Sequence, residues 1–158
     1  EISAVLTNNA TPLDGLTIKA SKNANEVTAA YEIEETTLEM IIHFPATYPL
    51  RQIEVESGNN RAGVSEARWR SWLLAATAIM VSQSESILDA LRIFHKNISM
   101  HFEGFEDCAI CYSIIGALDR ALPTKECKTC KHKFHASCLY KWFRTSNQSS
   151  CPLCRSQF

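Results

Sequence analysis

Apolar residues recur at every second position in the first third of the chain and at helical spacing in the second. Val27, Ala29, Tyr31 and Ile33 alternate with polar neighbours, the period of a half-buried strand. Leu38, Met40 and Ile42 resume that alternation after Glu34-Glu35-Thr36, which predicts a hairpin turn. Ile53 and Val55 predict a further strand ending at Ser57-Gly58-Asn59-Asn60. Leu16-Thr17-Ile18 predicts an opening strand after Pro12-Leu13-Asp14-Gly15. The expected sheet is an antiparallel meander.

The period then changes. Trp69, Trp72, Leu73, Ala76, Ile79 and Met80 share one helical face, with Ser65 placed to cap the helix. Ser82 and Glu85 have the spacing of a capping box and open a second helix, with Ile87, Leu88, Leu91, Phe94 and Ile98 as its buried stripe. His95 and His101 fall at the boundary of that helix, far from any Cys or third His, and are not expected to bind metal. Strands followed by helices predict an α+β domain over residues 1–103. Between them, His43-Phe44-Pro45-Ala46-Thr47-Tyr48-Pro49-Leu50 resembles the Pro/Tyr-Pro segment of RWD domains, relatives of ubiquitin-conjugating enzymes. Ile53 stands where that family usually has a later proline. A conjugating enzyme needs a nucleophilic cysteine after its sheet, and no cysteine precedes Cys108. The resemblance therefore implies an RWD-like interaction domain rather than a conjugating enzyme.

Glu103-Gly104-Phe105-Glu106 forms a short junction, and beyond it the chemistry of the chain is concentrated. Four couples, each with two residues between its members, follow one another: Cys108/Cys111, Cys127/Cys130, His135/Cys138 and Cys151/Cys154. All seven cysteines belong to them. A two-residue spacer lets one tight turn aim both ligands at a single ion, and structural Zn²⁺ takes four Cys or His ligands. Eight ligands thus predict two structural Zn²⁺ in residues 104–158. The odd cysteine count and the His135/Cys138 couple argue against a disulfide framework. Reduced thiols holding zinc fit the cytosol or nucleus.

Composition narrows the partners. With 158 residues and 46% hydrophobic content, the chain has one or two small domains and no apolar run approaching a membrane span. Its start lacks both an initiator Met and a signal-peptide pattern, so it reads as a piece of a longer protein. Residues 1–103 hold 8 Lys+Arg against 13 Asp+Glu, formally −5; residues 104–158 hold 8 against 4, formally +4. Two Zn²⁺ with seven thiolates bring the second part to about +1. No strongly basic face is expected, and direct sequence-specific nucleic-acid binding is not predicted.

The ligand order fits two zinc modules. A PHD finger, which reads histone tails, usually has an aromatic residue two positions before its seventh ligand, where this chain has Ser149. A RING has a hydrophobic residue between its first two ligands, an aromatic on the helix after the sixth, and Pro inside the last couple. Ile110, Trp142 and Pro152 occupy those positions, and Arg155 follows Cys154 as the RING linchpin cation does. RING is the favoured assignment, in a C4HC3 variant. A PHD-like reader or a non-catalytic adaptor stays open beside it. Each of the four residues also has an ordinary structural explanation; Phe134, Leu139 and Phe143 are the expected core of this part, with Trp142 the exposed contact. The stretch Cys130-Lys131-His132-Lys133-Phe134-His135-Ala136-Ser137-Cys138 further allows His132 to replace Cys127. Cys127 is preferred because a buried thiolate beside Zn²⁺ tends to be coordinated.

Leu122-Pro123, Cys127-Lys128-Thr129-Cys130, Lys133-Phe134-His135-Ala136-Ser137-Cys138-Leu139-Tyr140-Lys141-Trp142-Phe143 and Cys151-Pro152-Leu153-Cys154-Arg155 together resemble the C-terminal RING of the listerin family, which also follows an RWD-like domain. The resemblance implies cross-braced metal binding, with Cys108, Cys111, His135 and Cys138 on one ion and Cys127, Cys130, Cys151 and Cys154 on the other. Sequential pairing, as in LIM domains, is the competing topology. It also implies a RING-type E3 ubiquitin transferase acting without a covalent intermediate. Ile110, Trp142 and Pro152 would contact a ubiquitin-loaded conjugating enzyme (E2), and Arg155 would act as the non-covalent catalytic linchpin. The implied substrates are stalled nascent chains on the large ribosomal subunit, in the cytosol, as part of ribosome-associated quality control.

Overall fold

The computed structural model describes residues 13–48, 50–82 and 87–158. The chain divides into two compact units between Phe102 and Glu103. The fold is α+β, as the patterning predicts.

In the first unit four strands form an antiparallel meander in the order β1-β2-β3-β4: β1 (Leu16–Ser21), β2 (Glu26–Ile33), β3 (Thr36–His43) and β4 (Glu54–Ser57). The register places Val27 opposite Ile42, Ala29 opposite Met40 and Tyr31 opposite Leu38. Val27, Ala29, Leu38, Met40 and Ile42 are all fully buried, so the alternation read from the chain marks the core face. The hairpin turn is only Glu34-Glu35, with Glu34 at φ 51°, and Thr36 is already the buried first residue of β3. Ile53 is buried but lies outside β4, whose pairing with β3 runs from Glu54 to Ser57.

Helix α1 (Glu66–Val81) starts at Ser65, whose hydroxyl accepts the Arg68 N–H at 3.4 Å. Trp69, Trp72, Ala76 and Met80 are its buried residues, while Leu73 and Ile79 are half-buried because the two indoles fill the space against the neighbouring helix. Helix α2 (Ile87–Phe102) buries Ile87, Ala90, Leu91, Phe94, Ile98 and Phe102, and Leu88 is half-buried. Phe94 meets Trp69 edge-on at 5.7 Å. The capping-box partner Glu85 lies outside the described residues; Ser82 closes α1 through its own N–H to the Ala78 carbonyl. Both boundary histidines are engaged. His95 donates through Nε2 to the Asp14 carbonyl at 2.9 Å, and Arg68 donates to His101 Nδ1 at 2.8 Å. Burial, then the Arg68 charge, holds the His101 imidazole below its usual pKa of 6.5.

The second unit has little regular structure: the two-residue strands β5 (Lys125–Glu126) and β6 (Lys133–Phe134), and helix α3 (Ala136–Ser146). Its core is Cys108, Cys127, Phe134, Leu139 and Cys151, with Ile110, Phe143 and Phe158 packed against them. A core this small leaves stability to cross-links or metal.

Candidate metal centres and the face around them

Three of the four ligand couples sit in the same kind of turn. In the first, Tyr112 N–H donates to the Cys108 carbonyl at 2.7 Å, and Cys108 N–H donates to that of Ser113 at 3.0 Å. The second repeats this with Lys131 to Cys127 (2.9 Å) and Cys127 to His132 (3.0 Å). The third does so with Arg155 to Cys151 (3.0 Å) and Cys151 to Ser156 (2.8 Å). The residue after each second cysteine is left-handed: Tyr112 at φ 58°, Lys131 at 63° and Arg155 at 60°. Glycine would adopt that conformation freely, whereas a side chain there costs about 1–2 kcal/mol. The fourth couple is built differently. His135 occupies the N-cap position of α3 and makes no capping bond with its side chain, and Cys138 follows on the first turn. Asp119 supplies the missing acceptor from outside the helix, taking bonds from the Ser137 hydroxyl and N–H and from Ala121 N–H at 3.1 Å. Burial raises the Asp119 pKa, but these bonds and the His135 charge outweigh it and hold the carboxyl below its usual value.

The turns gather eight donor atoms into two tetrads. Cys108, Cys111, His135 and Cys138 form one, and Cys127, Cys130, Cys151 and Cys154 the other; within each, all donor atoms lie within 4.8 Å of one another. The groups interleave along the chain instead of following in sequence. His132 is exposed and belongs to neither group.

The dimensions suit zinc. Tetrahedral Zn–S bonds of about 2.3 Å place sulfurs about 3.8 Å apart. The Cys127–Cys154 and Cys130–Cys151 sulfur distances are both 3.7 Å. His135 presents Nδ1 at 3.3 Å from Cys111 Sγ and 3.7 Å from Cys138 Sγ. Its Nε2–H is given to the Ile114 carbonyl at 3.0 Å, which fixes the tautomer and aims Nδ1 at the thiols. The thiols also need a cation. Cys127 is drawn down to about 6, first by a backbone bond from Cys130, whereas Cys138 is pushed up to about 12 by burial and by the charge of Cys108. At Cys130 the His132 N–H pulls downward, but burial and the neighbouring sulfurs prevail and push it up to about 12. Three or four thiols this close cannot all ionise on their own, and a divalent ion removes that obstacle. Both donor sets therefore fit a closed, structural Zn²⁺ with no position left for catalytic water.

The residues singled out beside the ligands lie on the same unit. Ile110 is half-buried between Cys108 and Cys111, and Pro152 is half-buried between Cys151 and Cys154. Trp142 is half-buried too, rather than the exposed aromatic expected of α3. Its Nε1–H donates to the Ser150 carbonyl at 3.0 Å, which lays the indole toward the last ligand turn. Tyr140, 64% exposed, is the aromatic of α3 that faces solvent most. Arg155 is exposed. Sequence patterning missed Asp119 and the Ile114 carbonyl, because neither a lone loop Asp nor a backbone oxygen carries a spacing signal.

Residues 16–101 match the family described as ubiquitin conjugating domain-like, more than half of the chain. The chain belongs to that family. Residues 106–155 match the Ring finger domain, which resolves the choice between RING and PHD finger. The chain is 56% identical over 141 residues to the E3 ubiquitin-protein ligase listerin of Schizosaccharomyces pombe, covering 89% of this chain and 9% of that protein. It is 49% identical over 144 residues to listerin of Saccharomyces cerevisiae, 91% of the chain and 9% of the relative. With listerin of Mus musculus the identity is 47% over all 158 residues, again 9% of the relative. The likeness to listerins thus runs over nearly the whole chain, and the chain spans about 9% of the length of these relatives. Among the described residues no helix is long and apolar enough to cross a membrane.

Proposed function

We propose that this chain is the RWD–RING region of an E3 ubiquitin ligase. Residues 104–158 act as its RING and residues 1–103 as an RWD-like interaction domain. Cys108, Cys111, His135 and Cys138 hold one zinc; Cys127, Cys130, Cys151 and Cys154 hold the other. The observation that carries this assignment is the interleaved pair of tetrads with Ile110, Trp142 and Pro152 set around them.

The metal supplies rigidity and no chemistry of its own. Ile110, Trp142 and Pro152 offer an apolar face to a ubiquitin-loaded E2. Arg155 hydrogen-bonds across the E2 and its thioester-linked ubiquitin, favouring the arrangement in which an incoming lysine amine reaches the thioester. The rate gain is one of proximity and orientation. No thiol is left over for a covalent relay, since every cysteine lies in a tetrad. The first unit has no cysteine and docks rather than conjugates. The similarity to listerins extends the proposal to stalled nascent chains on the large ribosomal subunit, in the cytosol.

The deciding experiment mixes the zinc-loaded chain with ubiquitin-charged E2 and free lysine and follows thioester loss. Faster discharge, lost in Arg155→Ala, is the expected outcome. A chain holding two zincs that leaves discharge at its spontaneous rate would overturn the proposal.

A further inference from the structure

Arg155 is the residue on which the proposed chemistry turns, and the structure shows how its turn is held. Its backbone is left-handed and its N–H is bound to Cys151, like its counterparts in the other two turns. The third turn adds a side-chain oxygen: Ser156 Oγ lies 2.9 Å from Cys154 Sγ and 3.8 Å from Cys127 Sγ. A thiolate has no proton to give, so with metal bound the hydroxyl is the donor. Cys154 is exposed, and this bond is therefore made at the rim of the site, immediately beside Arg155.

The other end of the turn is tied as well. Ser150 and Gln157 form a β-bridge, and Phe158 N–H donates to the Ser149 carbonyl at 2.9 Å. The Phe158 ring meets Phe134 at 6.0 Å and Phe143 at 5.8 Å. Residues 149–158 thus close into a loop that the core anchors through Phe158 and the second tetrad anchors through Ser156.

We propose that Ser156 is a positioning residue for Arg155, its hydroxyl bond to the Cys154 thiolate fixing the turn that presents the guanidinium to the loaded E2. The inference rests on the ligase assignment above. Removing the hydroxyl leaves all four sulfurs and the two backbone bonds of the turn in place but loses the side-chain tie at its rim, the end that carries Arg155. The loss then falls on the orientation of Arg155 and not on E2 docking at Ile110, Trp142 and Pro152.

The test uses the full zinc-loaded chain with Ser156→Ala, Ser156→Thr, Arg155→Ala and the Ser156→Ala/Arg155→Ala pair. Ser156→Ala should retain two zincs and the KM for loaded E2 while kcat for discharge falls about 3–10-fold, and Ser156→Thr should restore it. Zinc transfer to a chromophoric chelator should quicken by about tenfold in Ser156→Ala and return in Ser156→Thr. In the Arg155→Ala background, Ser156→Ala should cost no further kcat. A full multiplicative loss there would mean general loosening of the domain and would overturn the inference, as would unchanged chelator kinetics. If Arg155→Ala is impaired and Ser156→Ala is not, this inference fails while the ligase assignment stands. If Arg155→Ala discharges normally, the linchpin assignment falls and this inference with it.

Discussion

Replacing Trp142 by Ala separates docking from folding. The indole is half-buried, so its removal forfeits only part of the roughly 3–5 kcal/mol typical of a fully buried Trp. The bond from Nε1 to the Ser150 carbonyl adds about 1 kcal/mol. A loss of about 3 kcal/mol is small against the roughly 10–16 kcal/mol that a structural zinc site supplies in zinc-finger peptides. The variant should therefore keep its fold and both metals, with zinc content read by elemental analysis. A central aromatic contact is worth about 2–4 kcal/mol in a protein interface, so affinity for loaded E2 should drop by about 30-fold or more. Discharge at subsaturating E2 should drop with it. Trp142→Phe keeps the apolar surface but not the N–H that lays the ring toward the last ligand turn. Its deficit should be milder, about 2–10-fold. Wild-type discharge by a two-zinc Trp142→Ala protein would refute this face as the docking surface.

Three further outcomes are expected. Cys127→Ser should lower zinc from two ions to one per chain while His132→Ala keeps both; the opposite pattern in elemental analysis would hand the ligand role to His132. Asp119→Ala removes the acceptor at the start of α3 and should destabilise the zinc-loaded second unit by about 1 kcal/mol, seen as a lower thermal midpoint; no change would mean that the helix end is satisfied otherwise. The first unit should lose stability on acidification, because His101 has a depressed folded pKa and the unfolded chain takes up its proton first. That contribution is whole above pH 6.5 and is lost as the pH falls from there through the folded value. Amide exchange in α1 and α2 measures it, and a His101→Gln protein that keeps the same pH slope would exclude this residue as the source.

What the chain discloses before folding depends on how far each interaction reaches. Alternation at Val27, Ala29, Leu38, Met40 and Ile42 is a nearest-neighbour signal, and it located the core face of the sheet. The spacer in Cys108/Cys111 or Cys151/Cys154 is equally local, since one turn sets both ligands. In helix α1 the spacing marks Trp69, Trp72, Ala76 and Met80, which are buried, but also Leu73 and Ile79, which are only half-buried. Leu74, off that face, is 69% exposed, and how deeply each residue of the face sinks is set by packing.

Long-range partners carry no local mark at all. Nothing in the spacing says that Cys111 should meet His135 and Cys138 rather than the next couple; the family resemblance implies the two interleaved sets, and the fold brings those residues together. The same holds for Trp142, expected to be exposed because Phe134, Leu139 and Phe143 are the better core candidates, although its N–H is bonded to Ser150 eight positions away. Resemblance to known zinc modules supplied the role of each position but not its hydrogen bonds. His135 shows why that matters: in the N-cap position its side chain makes no capping bond, and a carboxylate from the loop ahead of β5, Asp119, serves the helix start instead. A ligand's residue type is therefore legible from spacing, while the groups that orient it become visible only once the chain has closed around the metal.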